Sequence, residues 1–174
     1  LSDVAPEVGD RQVIVLVPGT EVLTLYVDIP VKGARMLAAL PYALEDQLAE
    51  DVENLHFAAG VRRGDGRVPV AVVAKEKIRM WLESLQTAGI HPARLIPEYH
   101  GLDVTPNTLS MLVATDRIMF NDGRETLFVI PDISPADALA TTGILDASAD
   151  DAETPRHLLA YCDAAIGDRF EKDW

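Results

Sequence analysis

Four histidines, one cysteine and a surplus of carboxylates are the side chains of this sequence with the means to support chemistry. His56, His91, His100 and His157 include no pair at the i, i+4 spacing that puts two zinc ligands on one helix face. Cys162 is alone, so neither a Cys/His zinc cluster nor an internal disulfide can form, and a reducing compartment fits. No GxSxG elbow exposes a nucleophilic serine. The 28 Asp and Glu residues lie in polar runs, without the contrasting surroundings that separate a catalytic acid from a base. The pattern predicts no catalytic residue, no metal and no cofactor. His56 reads as a partly buried strand histidine, and Cys162 as a small apolar filler on a helix face.

Phosphate binding requires backbone N–H groups presented by glycine-rich turns at a helix start. Neither GxxxxGK[ST] nor GxGxxG occurs. Gly64-Asp65-Gly66, between Arg62-Arg63 and Arg67, has the composition of a phosphate cradle, but no helix follows it. Asn121-Asp122-Gly123 sits at a second hairpin tip. Both are expected to be plain turns.

Lys and Arg total 15, for a formal net charge of −13, which excludes a nucleic-acid partner because a phosphate backbone needs a basic face. The same excess disfavours adsorption to an anionic leaflet and permits a basic protein partner. No apolar run approaches the ~20 residues of a membrane helix. The start at Leu1, without methionine or a basic leader, reads as that of a fragment or a single domain.

These residues must be positioned by alternating strands and helices. Gln12–Val17 and Val22–Ile29 have strand character, with Pro18-Gly19 between them. Leu37, Leu40, Leu44, Leu48 and Val52 then recur every three or four residues, predicting one long helix face, kinked or restarted at Pro41. Leu55–Val61 and Val68–Ala74 predict a hairpin. Lys75–Ala88 predicts a second helix with Ile78, Trp81, Leu82 and Leu85 buried, stopped by Gly89 with Ile90 packing back. Leu95-Ile96 returns as a strand. From Pro106 onward, Thr108–Ala114, Arg117–Phe120 and Thr126–Ile130 predict a β-meander, and Ser134-Pro135 starts a helix over Pro135–Thr141. Asp146–Glu153 reads as a loop, and Pro155–Ile166 as a final helix with Leu158, Leu159, Cys162 and Ile166 at helical spacing.

The most distinctive stretch is Leu40–Phe57. No basic residue stands between Arg35 and Arg62. If Leu44 and Leu48 are buried on a helix, then Glu45, Asp46, Gln47, Glu50, Asp51 and Glu53 wrap its solvent side. Asp46 and Glu50 would then repel at i, i+4 by about 0.2–0.5 kcal/mol with no local compensation. A solvated acidic face and a docking surface for a basic partner both fit this pattern.

The run LPYALEDQLAEDVENLHFA resembles the signature of type II secretion system protein L: a leucine-proline, an apolar-aromatic pair, then E-[DE]-Q-L-A-x-D-x-x-x-L-H-F. The flanks Val13–Pro30, Val68–Glu98 and Leu109–Ile130 are similar to the family's strand–turn–strand, its strand–helix–return and its second-lobe hairpins. The resemblance covers roughly Val13 to Ile133. It does not extend to the acidic tail from Ser134, and the chain either lacks the family's opening strands or begins after them.

The resemblance implies an α/β fold of the actin-like (ribonuclease H-like) class, with mixed sheets, flanking helices and two lobes, expected at residues 1–104 and 105–174. It implies a non-catalytic cytoplasmic domain at the inner membrane of a Gram-negative bacterium, followed in the intact protein by one membrane span and a periplasmic domain. The implied partners are the N-terminal domain of the secretion ATPase (protein E), the inner-membrane protein M and, for the full-length protein, a second copy as a homodimer. No family motif fixes the ATPase contacts, so the acidic face formed by Glu45, Asp46, Gln47, Glu50, Asp51 and Glu53 is singled out on its charge and predicted exposure. The alternative is a nucleotide-binding actin-like protein of the type IV pilus or actin-like ATPase kind.

Overall fold

The computed structural model describes residues 1, 4–9, 11–124, 127–143, 155 and 157–162. Two compact units divide the chain, Leu1–Ile96 and Pro97–Trp174. Residues 97–104, expected with the first lobe, fall in the second unit. There the turn Glu98–Gly101 is held by Arg117, whose guanidinium bonds Glu98 Oε2 at 2.9 Å, and by Asn121, whose amide donates to the Tyr99 carbonyl.

In the first unit a short helix α1 (Ala5–Val8) precedes β1 (Val13–Val17) and β2 (Leu23–Val27). These two strands enter different sheets. β1 pairs with β5 (Pro92–Pro97), whereas β2, β4 (Val68–Ala74) and β3 (Leu55–Ala59) form an antiparallel sheet with β4 central. The predicted hairpin β3–β4 is present, in the register Leu55↔Ala74 to Ala59↔Val70. β4 is Val-rich and mostly buried, as expected of a strand covered on both sides. β1 alternates instead, leaving Ile14 and Leu16 about half exposed.

Helix α2 (Ala34–Leu44) lies on this sheet, and its Leu40 and Leu44 are fully buried with Val27, Leu55, Val68, Val70 and Val72. Burial of such a leucine stabilises by roughly 1.5–3 kcal/mol. Pro41 sits inside the helix and removes the N–H that would have met the Leu37 carbonyl. The expected long helix ends here. Leu48 has an extended backbone and packs against the core from outside any helix, while Leu37, expected to be buried, is exposed. Continuing the helix would stack carboxylates along one face; two short turns avoid that stacking.

Helix α3 (Lys75–Thr87) ends as predicted. Gly89 has φ +75°, its N–H reaches the Gln86 carbonyl at 2.9 Å, and the Ile90 N–H reaches Leu85 at 2.9 Å. This is the paired-bond helix stop that requires a left-handed residue. Leu85 and Ile90 are buried, Ile78 and Trp81 are half-buried, and Leu82 is exposed, contrary to expectation.

The second unit contains the predicted meander, β6 (Thr108–Val113), β7 (Arg117–Asn121) and β8 (Leu127–Pro131), all antiparallel. Helix α4 (Pro135–Thr141) is capped by Ser134, whose hydroxyl accepts from the Asp137 N–H at 3.2 Å. The expected final helix is instead strand β9 (His157–Cys162), parallel to β6 from Thr108↔His157 to Val113↔Cys162. The far side of β6 offered a row of backbone partners, and pairing with them outweighs a weak helical period. Asp146–Glu153 and Ile166 lie outside the described residues.

Candidate partner-binding surface

Helix α2 leads directly into the acidic segment. It begins at Gly33, which has φ +61° and offers no side chain to cap the first N–H groups. Its one charged residue is Arg35, in the first turn, and no basic residue occupies the last turn. Glu45 and Asp46 follow immediately. Both charge placements oppose the helix dipole, at a cost of about 0.3–1 kcal/mol each.

Glu45, Asp46 and Gln47 form a 3-10 turn whose three side chains are exposed. Glu50 is exposed in the following bend. Asp51 then starts a second 3-10 turn, Val52–Asn54, by accepting the Glu53 N–H on Oδ1 at 2.9 Å. Lys75 holds this turn through the Glu53 carbonyl, at 2.7 Å, and not through its carboxylate. The six predicted residues therefore share one exposed segment of two consecutive turns, not a helix face. The i, i+4 repulsion of Asp46 and Glu50 does not arise in that form. Among the described residues none of the five carboxylates has an ion-pair partner.

The other candidates are built into the fold. Asp65 accepts the Arg67 N–H at 2.9 Å and its guanidinium at 3.0 and 2.9 Å, which closes the turn on itself. The Arg67 backbone bond first, then its side chain, holds the Asp65 carboxyl below its usual range. Arg62 bonds the Ile29 and Val31 carbonyls at 2.7 and 3.1 Å, pinning the approach to α2. Arg63 and Arg67 lie over the Tyr26 ring at 5.0 and 5.6 Å. In the second turn Asn121 closes on the Gly123 N–H at 2.8 Å, and Asp122 on the Arg124 N–H at 2.7 Å. His56, expected to be partly buried, is exposed, as are His91, His100 and His157. Cys162 is an exposed residue at the end of β9 and fills no core. Among the described residues no group of three His, Cys, Asp or Glu could hold a metal.

Sequence reasoning missed that α2 leaves two large side chains in solvent, Leu37 at 48% and Tyr42 at 80% exposure. The signal was available: the eleven residues of this surface helix include a single charge.

A sequence profile described as type II secretion system (T2SS), protein L matches residues 1–163. The chain belongs to the type II secretion system protein L family. Protein L of Dickeya chrysanthemi is 38% identical over 89 residues, which are 51% of this chain and 22% of that protein. Protein L of Pseudomonas aeruginosa is 40% identical over 79 residues, 45% of this chain and 21% of that one. The match therefore spans about a fifth of these relatives' length. The cytoplasmic domain of EpsL, an inner membrane component of the type II secretion system of Vibrio cholerae, has the same fold. Its TM-score is 0.72 at 24% identity, over 93% of this chain and 67% of that one. The PilM–PilN type IV pilus biogenesis complex is similar at TM-score 0.51 and 18% identity, over 82% and 51% of the two chains. The mixed α/β class expected for a protein L domain is the class observed. Among the described residues no helix is long and apolar enough to cross a membrane.

Proposed function

We propose that this protein L chain is a cytoplasmic adaptor domain at the inner membrane. It recruits the secretion ATPase through that enzyme's N-terminal domain and couples it to a membrane assembly that includes protein M, the intact protein being a homodimer. It acts by binding and carries out no reaction. The observation that supports this most is the exposed run Glu45–Glu53, whose carboxylates have no ion-pair partner among the described residues. Such a run attracts a basic surface and steers its approach. The two glycine turns that a nucleotide-binding reading would need are closed by their own Asp65 and Asn121 side chains.

The test is titration of the chain with the N-terminal domain of the ATPase across a salt series. Saturable binding that weakens with salt is expected, with no ATP hydrolysis by the chain alone. Glu50→Lys with Glu53→Lys should weaken binding at least about tenfold and flatten its salt dependence. Asp51 is left intact because it caps its turn. Unchanged affinity removes the acidic turns from the interface; no binding at all removes the ATPase from the function.

A further inference from the structure

Charge is segregated along the first unit. No acidic residue stands between Asp28 and Glu45, or between Glu53 and Asp65, and these two stretches carry Lys32, Arg35, Arg62 and Arg63. They meet at the start of α2, around a cavity of about 270 Å³ lined by Lys32, Gly33, Met36, Arg62 and Val68. Its floor is apolar: Val68 is fully buried, and half-buried Met36 packs on the same core. Its rim is cationic. Arg62 donates to the carbonyls of Gly66, Ile29 and Val31, which fixes the guanidinium and brings no negative charge to it. Neither Arg62 nor Lys32 has an ion-pair partner among the described residues. An arginine already held in place loses little freedom when an anion arrives.

We propose that this cavity is a docking site for an acidic peptide segment of a partner protein. One bulky apolar side chain enters against Met36 and Val68, and flanking carboxylates meet Lys32 and Arg62. At about 270 Å³ the cavity falls just below the roughly 300–1,000 Å³ of small-molecule sites, which suits a single anchoring side chain better than a cofactor. Complementary charge sets the orientation and speeds the encounter. An anionic membrane surface would meet the whole molecule, whose net charge of −13 repels it. A peptide meets the local field. The length of α2 separates the cavity from the acidic turns by about 18 Å, roughly twice the screening length at physiological salt. The domain therefore presents a basic site at one end of α2 and an acidic one at the other, for two different partners. The inference goes beyond the ATPase reading and stands without it.

The probe is a short fluorescent peptide with one phenylalanine flanked by glutamates and aspartates, titrated against the whole chain. Anisotropy should show saturable binding with dissociation on the order of 100 µM, weakening as salt rises. Amide NMR signals of Gly33, Met36 and Val68 should shift as the peptide is added. Lys32 is exposed, so its replacement leaves the core intact. Lys32→Glu should weaken binding at least about tenfold. A probe with alanine in place of phenylalanine should lose at least about tenfold as well, since the apolar anchor is gone. Glu50→Lys with Glu53→Lys should keep the peptide's affinity within about twofold, because those charges lie beyond the screening length. Lys32→Glu should likewise leave binding of the ATPase domain unchanged, so either idea can fail alone. No saturable peptide binding up to about 1 mM would overturn the proposal. Affinity indifferent to Lys32→Glu or to the loss of phenylalanine would overturn it too, as would shifts confined to other residues. Lys32-dependent binding to phosphatidylglycerol vesicles without peptide binding would give the cavity to a lipid and overturn it equally.

Discussion

Asn121 donates a hydrogen bond from Nδ2 to the Tyr99 carbonyl at 3.0 Å, and both residues are buried. The same amide accepts the Gly123 N–H on its oxygen, so one side chain joins the end of β7, its turn and the segment that opens the second unit. Asn121→Ala would leave a buried carbonyl without its donor, at a cost of about 1–3 kcal/mol. Urea unfolding should show the midpoint moving down with an unchanged slope.

Leu44 and Leu37 stand two turns apart on α2 with opposite fates, one fully buried and the other half exposed. Leu44→Ala should cost about 2–5 kcal/mol through lost transfer energy and a cavity. Leu37→Ala should stay within about 0.5 kcal/mol of the parent. Thermal melts of the two variants separate a helix that ends at Leu44 from one that runs on through Leu48.

At Gly89 the backbone is left-handed and no atom lies within 4 Å of an added Cβ. Gly89→Ala therefore meets no clash and is penalised by conformation alone, at about 1–2 kcal/mol. Gly89→Asn should recover part of that loss, since asparagine tolerates this region. Chemical denaturation of the three chains gives the order Gly, Asn, Ala.

The His100 ring, though exposed at its edge, rests beside Tyr99 with centroids 5.0 Å apart, and loss of part of its hydration lowers its pKa from the ordinary 6.5. Above pH 6.5 the ring is neutral in both folded and unfolded chains and contributes no pH dependence. As pH falls through 6.5 the unfolded chain takes up the proton first, so stability decreases until the folded pKa is passed. His100→Gln should flatten this part of the curve between about pH 7 and 5. An NMR titration that finds the folded pKa at or above 6.5 would refute the assignment.

Much of the fold was legible where a local rule had no competitor. Gly89, Ser134 and the meander strands announced themselves because a helix stop, an N-cap and a short turn are decided by a few neighbouring residues. The acidic candidates were legible as a set, since charge without compensation is visible in sequence. Their geometry was not. Leu40, Leu44, Leu48 and Val52 share a helical period, yet Leu48 reaches the core from an extended backbone after the helix has ended. His157–Cys162 likewise carries a helical spacing of apolar residues and forms a strand.

The sequence by itself determined the family, the α/β class, the stop of α3 at Gly89 and the acidic character of residues 45–53, because each is written in local residue types and their order. Only the tertiary structure decided where α2 ends, which of its leucines face the core, and which strand finds an open edge at β6. Those outcomes depend on backbone hydrogen bonds and apolar area supplied by residues distant in sequence. A period of three or four records that apolar side chains need burial; it does not record which surface will bury them.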